Sequence, residues 1–368
     1  MNTTHKILYK NSNHLDGLKD ESISLIVTSP PYPMIEMWDE MFFSQDAKIK
    51  LALGENRNGL AFDLMHQQLD KVWNECYRVL VPGGIMCINI GDATRTLNKN
   101  FQLFSSHARI LSYCLSIGLQ NLPNIIWRKT TNSPNKYMGS GMLPPGAYVT
   151  LEHEFILIFR KGNKREFISI KEKKNRNRSA FFWEERNKWF SDVWFDLKGI
   201  KQKLNKNELR ERSAAYPFEL VYRLINMFSV YGDVVLDPFL GTGTSVVASI
   251  VAGRNSVGIE LDRNFKHTIE SNIKQAKEIS KEIIFKRLND HINFVETELS
   301  KGREFNNKNN IYGFSCISKQ EENILFYKID KVQMTKKNVY EITHLPIKTN
   351  MLSRKLQIPK RKLPKDEK

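Results

Sequence analysis

Cysteine is scarce in this 368-residue chain, and its four copies, Cys76, Cys87, Cys114 and Cys316, form no CxxC pair. That spacing offers neither a disulfide framework nor a zinc-finger pattern, so a reducing interior is the expected compartment. No apolar run approaches the roughly 18 residues of a membrane span. The opening MNTTHKILYKNSNHL also lacks the apolar core of a signal peptide, and a cytoplasmic protein without membrane contact is expected. No metal centre is expected either, because the three neighbours Glu152-His153-Glu154 alternate sides along a strand and chelate poorly. A full GxGxxG is missing too, which leaves a pyrophosphate without its usual cradle.

Positive charge is what the chain has in excess. Lys and Arg number 56 against 40 Asp and Glu, a formal +16 that favours a polyanionic partner. The excess is local: residues 163–212 carry 15 Lys or Arg against 8 acids, with Phe181, Phe182, Trp183, Trp189 and Trp194 interleaved. Residues 345–368 carry 8 Lys or Arg against 2 acids and three prolines, and their end reads as a mobile tail. These two stretches supply 13 of the 16 excess charges, a footprint rather than a background.

The remaining pattern alternates strands and helices. Residues 23–28 (ISLIVT) form a short apolar, β-rich run that opens into Ser29-Pro30-Pro31-Tyr32. Apolar residues recur at helical spacing from Leu60 to Leu80 and stop at Pro82-Gly83-Gly84. Strands are predicted over 85–90, 124–128 and 154–160, and helices over 104–117 and 218–228. A strand at 234–236 ends in Asp237; the turn Gly241-Thr242-Gly243, a helix over 245–252 and a strand over 256–260 follow. Such alternation predicts an α/β fold, a Rossmann-like mixed but mostly parallel sheet with helices on both faces. With 41% hydrophobic residues, one large core is expected.

A strand, a glycine turn, a helix and a second strand tipped by an acid are the parts of a nucleotide-binding unit, where the acid takes the ribose hydroxyls. Glu260 stands in that place, and Asp262 nearby offers the same chemistry. A carboxylate at Asp237 would repel a pyrophosphate but suits an ammonium and a sulfonium, so S-adenosylmethionine fits better than a nicotinamide cofactor. DPFLGTGT, that is Asp237, Pro238, Phe239, Leu240, Gly241, Thr242, Gly243 and Thr244, together with TSPPY resembles the cofactor and catalytic motifs of the DNA amino-methyltransferases. The resemblance implies that the glycine turn lies under the methionine moiety and that Glu260 binds the ribose. Residues 11–18 resemble the stretch that touches the cofactor adenine; the usual Gly-Asp reads Ser12-Asn13 here, and the Asn13 amide would make that contact.

An aromatic exocyclic amine is a poor nucleophile because its lone pair is delocalised into the ring, and the catalytic loop must counter this. Ser29 can accept or relay a hydrogen bond from the amine, and the rigid Pro30 and Pro31 aim a backbone carbonyl at its second hydrogen. Tyr32 offers a flat face for a base swung out of the duplex. In the family that the motifs resemble, serine at the first position mostly marks cytosine N4 as the target and aspartate adenine N6. C5 methylation needs a nucleophilic cysteine, usually after proline, and none of the four cysteines follows one.

The catalytic motif precedes the cofactor motif, as in the permuted β-type arrangement of the family. That order implies a catalytic half over 1–162, a target-recognition region over 163–212, a cofactor-binding half over 213–280 and a basic extension over 281–368. Arg212 to Phe218 resembles a segment closing over the methionine end, and Trp127-Arg128-Lys129 with Asn132 and Pro134 a loop near the target base. Asp92 reads equally as a helix cap or a site residue. Double-stranded DNA is the implied partner, with a restriction endonuclease as a companion. An adenine-N6 enzyme, an RNA or protein methyltransferase and an inactive DNA-binding protein are the alternatives.

Overall fold

Apolar β-branched runs, broken by glycine and proline, cut the chain into strands and helices that a computed structural model describes over residues 1–129, 139–197 and 216–347. Asn132, Pro134, Arg212 to Ala215 and the expected tail from residue 348 lie outside the described residues. β1 (Asn2–Tyr9) and β2 (Ile23–Thr28) precede α1 (Asp39–Gln45), α2 (Ala47–Gly54) and α3 (Asn58–Val79). β3 (Leu80–Ile90) leads into the hairpin of β4 (Ala93–Leu97) and β5 (Asn100–Phe104), then α4 (Ser106–Ser116), β6 (Leu119–Arg128) and β7 (His153–Lys161). The basic insertion holds α5 (Ile170–Arg178), α6 (Trp183–Trp189) and β8 (Val193–Trp194). α7 (Phe218–Phe228), β9 (Val234–Asp237), α8 (Thr244–Val251) and β10 (Asn255–Glu260) follow. The chain then runs through α9 (Lys266–Ser300), β11 (Asn307–Lys308), β12 (Ser315–Cys316), β13 (Tyr327–Lys336) and β14 (Val339–Pro346).

Among the described residues one large sheet has the order β13-β14-β1-β10-β9-β2-β3-β7-β6-β8. Its five central strands, from β1 to β3, are mutually parallel, and β14 and β7 attach antiparallel on either side. Successive β2 side chains serve opposite faces, as strand geometry requires. Leu25 and Val27 join a core with α7, α8 and the start of α9, while Ile26 joins another with α3 and α4. Pro82-Gly83-Gly84, expected to end a helix before a strand, lies inside β3 as an irregularity: Ile23 pairs with Leu80, but Leu25 pairs with Ile85. Gly83 has φ +79°, and a Cβ there would lie 2.5 Å from the Arg165 backbone nitrogen.

The insertion and the extension that follows residue 280, expected as separate segments, share a third core among the described residues. Phe182 of the insertion packs with Ile284 and Leu288 of α9 and with Tyr312, Leu325 and Phe326 beyond it. The boundary expected at residue 280 falls inside α9, a continuous helix of 35 residues, roughly 52 Å long. Arg287 pairs with Glu185 at 2.5 and 2.7 Å, and His291 Nδ1 lies 2.8 Å from Glu184. Glu184, His291 and Glu321 bring ligand-type atoms within 4.8 Å of one another. Ser315 O on His291 Nε2, and the Trp183 and Ser318 amides on Glu321, complete a polar staple that already occupies both ring nitrogens and both Glu321 oxygens. Of the interleaved aromatics, Phe182, Trp189 and Trp194 are buried core side chains.

α5 carries the exposed Lys171, Lys173, Lys174 and Arg176, and it is fixed at the end of the sheet where the parallel strands begin. Asn175 Nδ2 donates to Tyr231 O at 2.7 Å, and Arg165 pairs with Asp233 at 2.7 Å, both just ahead of β9. Among the described residues no helix is long and apolar enough to cross a membrane.

Candidate active site

β2 and β9 are neighbours in parallel, with Leu25 beside Val235 and Ile26 beside Leu236, so the two expected motifs leave the same edge of the sheet. From β9 the chain winds outward to β10, and from β2 it winds the other way to β3; this reversal is where open α/β sheets bind ligands. Thr28 Oγ1 donates to Asp237 Oδ1 at 2.6 Å and ties the foot of one motif to that of the other. Above them opens a cavity of about 450 Å³. Ser29, Pro30, Pro31 and Tyr32 line one side, and Pro238, Phe239, Gly241, Thr242, Thr244 and Glu260 the other, with Asn13 also lining it. Trp38, Met41 and Phe42, at and beside α1, close it further.

Asp237, expected to face a ligand's positive charge, is turned inward and does not line the cavity. Its Oδ1 accepts from Thr28 and, at 3.0 Å, from the Phe239 amide; its Oδ2 accepts from Ser245 at 2.6 Å and Tyr216 at 3.2 Å. Burial raises its carboxyl above the usual range even so. Gly243, at φ +90°, caps α8 against Ile269 and is likewise outside the lining. Both residues lie behind the lining.

Glu260 does face the cavity. Its Oε2 accepts from the Gly241 amide at 2.6 Å and its Oε1 from the Asp262 amide at 2.8 Å, while burial pushes its pKa up to about 7. Asp262 also lines the cavity and accepts from the Asn264 amide at 2.9 Å. Gly241 sits at φ +55° with open space where a Cβ would project, so backbone conformation, not crowding, calls for glycine there. The Ser12 hydroxyl donates to the Pro238 carbonyl, which fixes the Asn11–Asn13 stretch against the cofactor loop.

A polar cluster that the motifs alone do not assemble stands behind Tyr32. Ser29 Oγ lies 3.2 Å from Tyr32 OH, which donates to Glu154 Oε2 at 3.0 Å. Asn89 Nδ2 donates to Tyr32 OH at 2.9 Å and to Glu154 Oε2 at 2.7 Å, and Lys129 pairs with Glu154 Oε1. Burial, with the Glu154 charge beside it, raises the Tyr32 phenol well above its ordinary value. Asn89 interrupts the buried apolar run of β3, and that interruption was an available signal; Glu154, beside His153 at the polar start of β7, gave none. Asp92 is a cap: it accepts from the His107 amide of α4 at 3.0 Å and pairs with the His107 ring at 2.7 Å.

The lining fits S-adenosylmethionine. Among the described lining residues Glu40, Glu260 and Asp262 are acids and none is Lys or Arg, a wall that attracts a sulfonium and repels a pyrophosphate. The volume lies in the range of small-molecule and cofactor sites. This fold and this site define a methyltransferase that uses S-adenosylmethionine. The family described as DNA methylase, of the N6 and N4 type, matches residues 23–271, and the chain belongs to it. Type II methyltransferase M.MthZI of Methanothermobacter thermautotrophicus is 53% identical over 342 residues, covering 93% of this chain and 95% of its own length. Type II methyltransferase M.MjaI of Methanocaldococcus jannaschii is 50% identical over 282 residues, or 74% of this chain and 91% of its own. A Thermus thermophilus protein described as a DNA modification methylase, solved with S-adenosyl-L-methionine, is 28% identical with a TM-score of 0.57, covering 74% of this chain and 94% of its own.

Proposed function

We propose that this methyltransferase acts on the N4 amine of a cytosine turned out of duplex DNA, as the modification partner of a restriction endonuclease. The observation that carries the reading is a serine-headed loop facing the acid-tipped glycine turn across one cavity. Glu260 would accept the ribose hydroxyls, Gly241 leaves room beside them, and Pro238, Phe239 and Asn13 flank the rest of the cofactor. When bound, S-adenosylmethionine supplies an electrophilic methyl carried on a sulfonium. Ser29 Oγ accepts a hydrogen from the amine, a carbonyl of the proline elbow takes the second, and the Tyr32 ring supports the extruded base. Serine keeps the head of the loop uncharged, and by family resemblance it favours cytosine. The names of the two archaeal relatives, both type II methyltransferases, support the modification role.

The target-recognition role expected of 163–212 narrows to its later part. β8 pairs with Ile126 and Trp127 at the catalytic end and α5 lies at the other end, which supports a DNA contact by residues 192–197 and Lys129 rather than by α5. Mass spectrometry of nucleosides from duplex DNA incubated with the protein and labelled cofactor tests the base assignment. N4-methyldeoxycytidine is expected. N6-methyldeoxyadenosine would overturn the cytosine assignment, and cofactor binding with no methylated base in any duplex would favour an inactive DNA-binding protein.

A further inference from the structure

We propose that Glu154 is the terminal acceptor of a hydrogen-bonded chain that carries off the proton released when the target amine is methylated. The proposal rests on the reading of Ser29 and Tyr32 as catalytic, and it holds for a cytosine or an adenine amine. Donor counting sets the direction of the chain. Asn89 Nδ2 can only donate, and it gives its hydrogens to Tyr32 OH at 2.9 Å and Glu154 Oε2 at 2.7 Å. Tyr32 OH has one hydrogen, and Glu154 Oε2 takes it at 3.0 Å. Toward Ser29, 3.2 Å away, the Tyr32 oxygen can then only accept. The Ser29 hydrogen therefore points inward, and its lone pairs face the cavity that Ser29 lines. A base amine placed there finds an acceptor already oriented for it.

The balance is simple. As the bond from the methyl carbon to sulfur breaks and the bond to nitrogen forms, the nitrogen gains a positive charge and must lose one N–H proton. That proton passes to Ser29 Oγ while the Ser29 hydrogen passes to Tyr32 and the Tyr32 hydrogen to Glu154. Both hydroxyls are restored, and the net change is one proton moved from the amine to the carboxylate. Glu154 is buried, with 7% of its surface exposed, and Lys129 pairs with its second oxygen. The Lys129 side chain is 25% exposed and marks the side on which the proton can leave to solvent. Glu154 acts through Tyr32 and is a positioning residue and proton acceptor; it does not touch the base.

Single-turnover methyl transfer to duplex DNA by the full chain tests this with three variants: Glu154→Gln, Tyr32→Phe and Ser29→Ala. The first keeps the shape and an acceptor oxygen but cannot take the proton; the second keeps the ring and removes the link. Each should lower the rate constant by about 10²- to 10⁴-fold, the usual worth of general acid–base catalysis. Cofactor Kd, DNA Kd and Tm should stay at the parent values, which a merely structural role would not allow. A parental rate in Glu154→Gln or in Tyr32→Phe overturns the relay, as does a cofactor affinity that falls along with the rate. If Ser29→Ala alone loses activity, the reading of the loop stands and the relay falls. If Ser29→Ala also keeps the parental rate, the loop reading falls with it.

Discussion

Glu260 holds both carboxylate oxygens on backbone amides, and burial moves its pKa from 4.5 to about 7. A raised carboxyl binds its proton more tightly in the folded protein, so the stability this contributes is present at low pH and lost as pH rises from 4.5 to about 7. Cofactor binding should have the opposite sign, because a cationic ligand favours the ionised form. The Kd for S-adenosylmethionine should rise as pH falls below about 7, with proton uptake by buffer on binding, readable by calorimetry in buffers of different ionisation enthalpy. Glu260→Gln should weaken binding about 10- to 100-fold at high pH, as expected for lost charge-assisted hydrogen bonds, and flatten the pH dependence. A parent Kd independent of pH would contradict this role. Asp237 shows where residue types alone mislead: an acid at the strand end suggested a ligand contact, but four internal donors claim it.

At the scale of elements, the long apolar runs and glycine turns were legible. β2, α3, the strand at β9 and the helix after Gly243 fall where periodicity predicts them. β1 and β14 were not legible, because their buried faces are partly polar. Thr3 bonds His5 and His344 at 2.9 Å each, and His5 bonds Ser256 at 2.7 Å, so alternation of apolar and polar residues does not report their burial. The orientation of β6 and β7 was hidden for another reason. A parallel return needs a crossover, and the 24 residues between these strands bring the chain back antiparallel. The basic insertion was visible as charge, but its direction was not, since only packing puts α5 at the far end. Replacing Lys171, Lys173 and Lys174 by alanine should therefore leave DNA affinity and the slope of log K against log salt nearly unchanged. A slope reduced by about three contacts' worth of counterion release would return α5 to the DNA interface.

For the whole molecule, the sheet reversal between β9 and β2 does most to create the site, since it brings two motifs about 200 residues apart in sequence to one sheet edge. α5 and the segment after α9 brace the opposite end: Asn175 donates to Tyr231 O and Tyr231 OH to Leu325 O, both just ahead of β9. The most direct test is a crystal structure with sinefungin, an unreactive analogue of S-adenosylmethionine. The ribose hydroxyls are expected on Glu260, with the amine that stands in place of the transferable methyl opening toward Ser29 and Tyr32. A ligand bound away from Glu260, or walled off from the serine loop, would contradict a shared cavity for methyl donor and base.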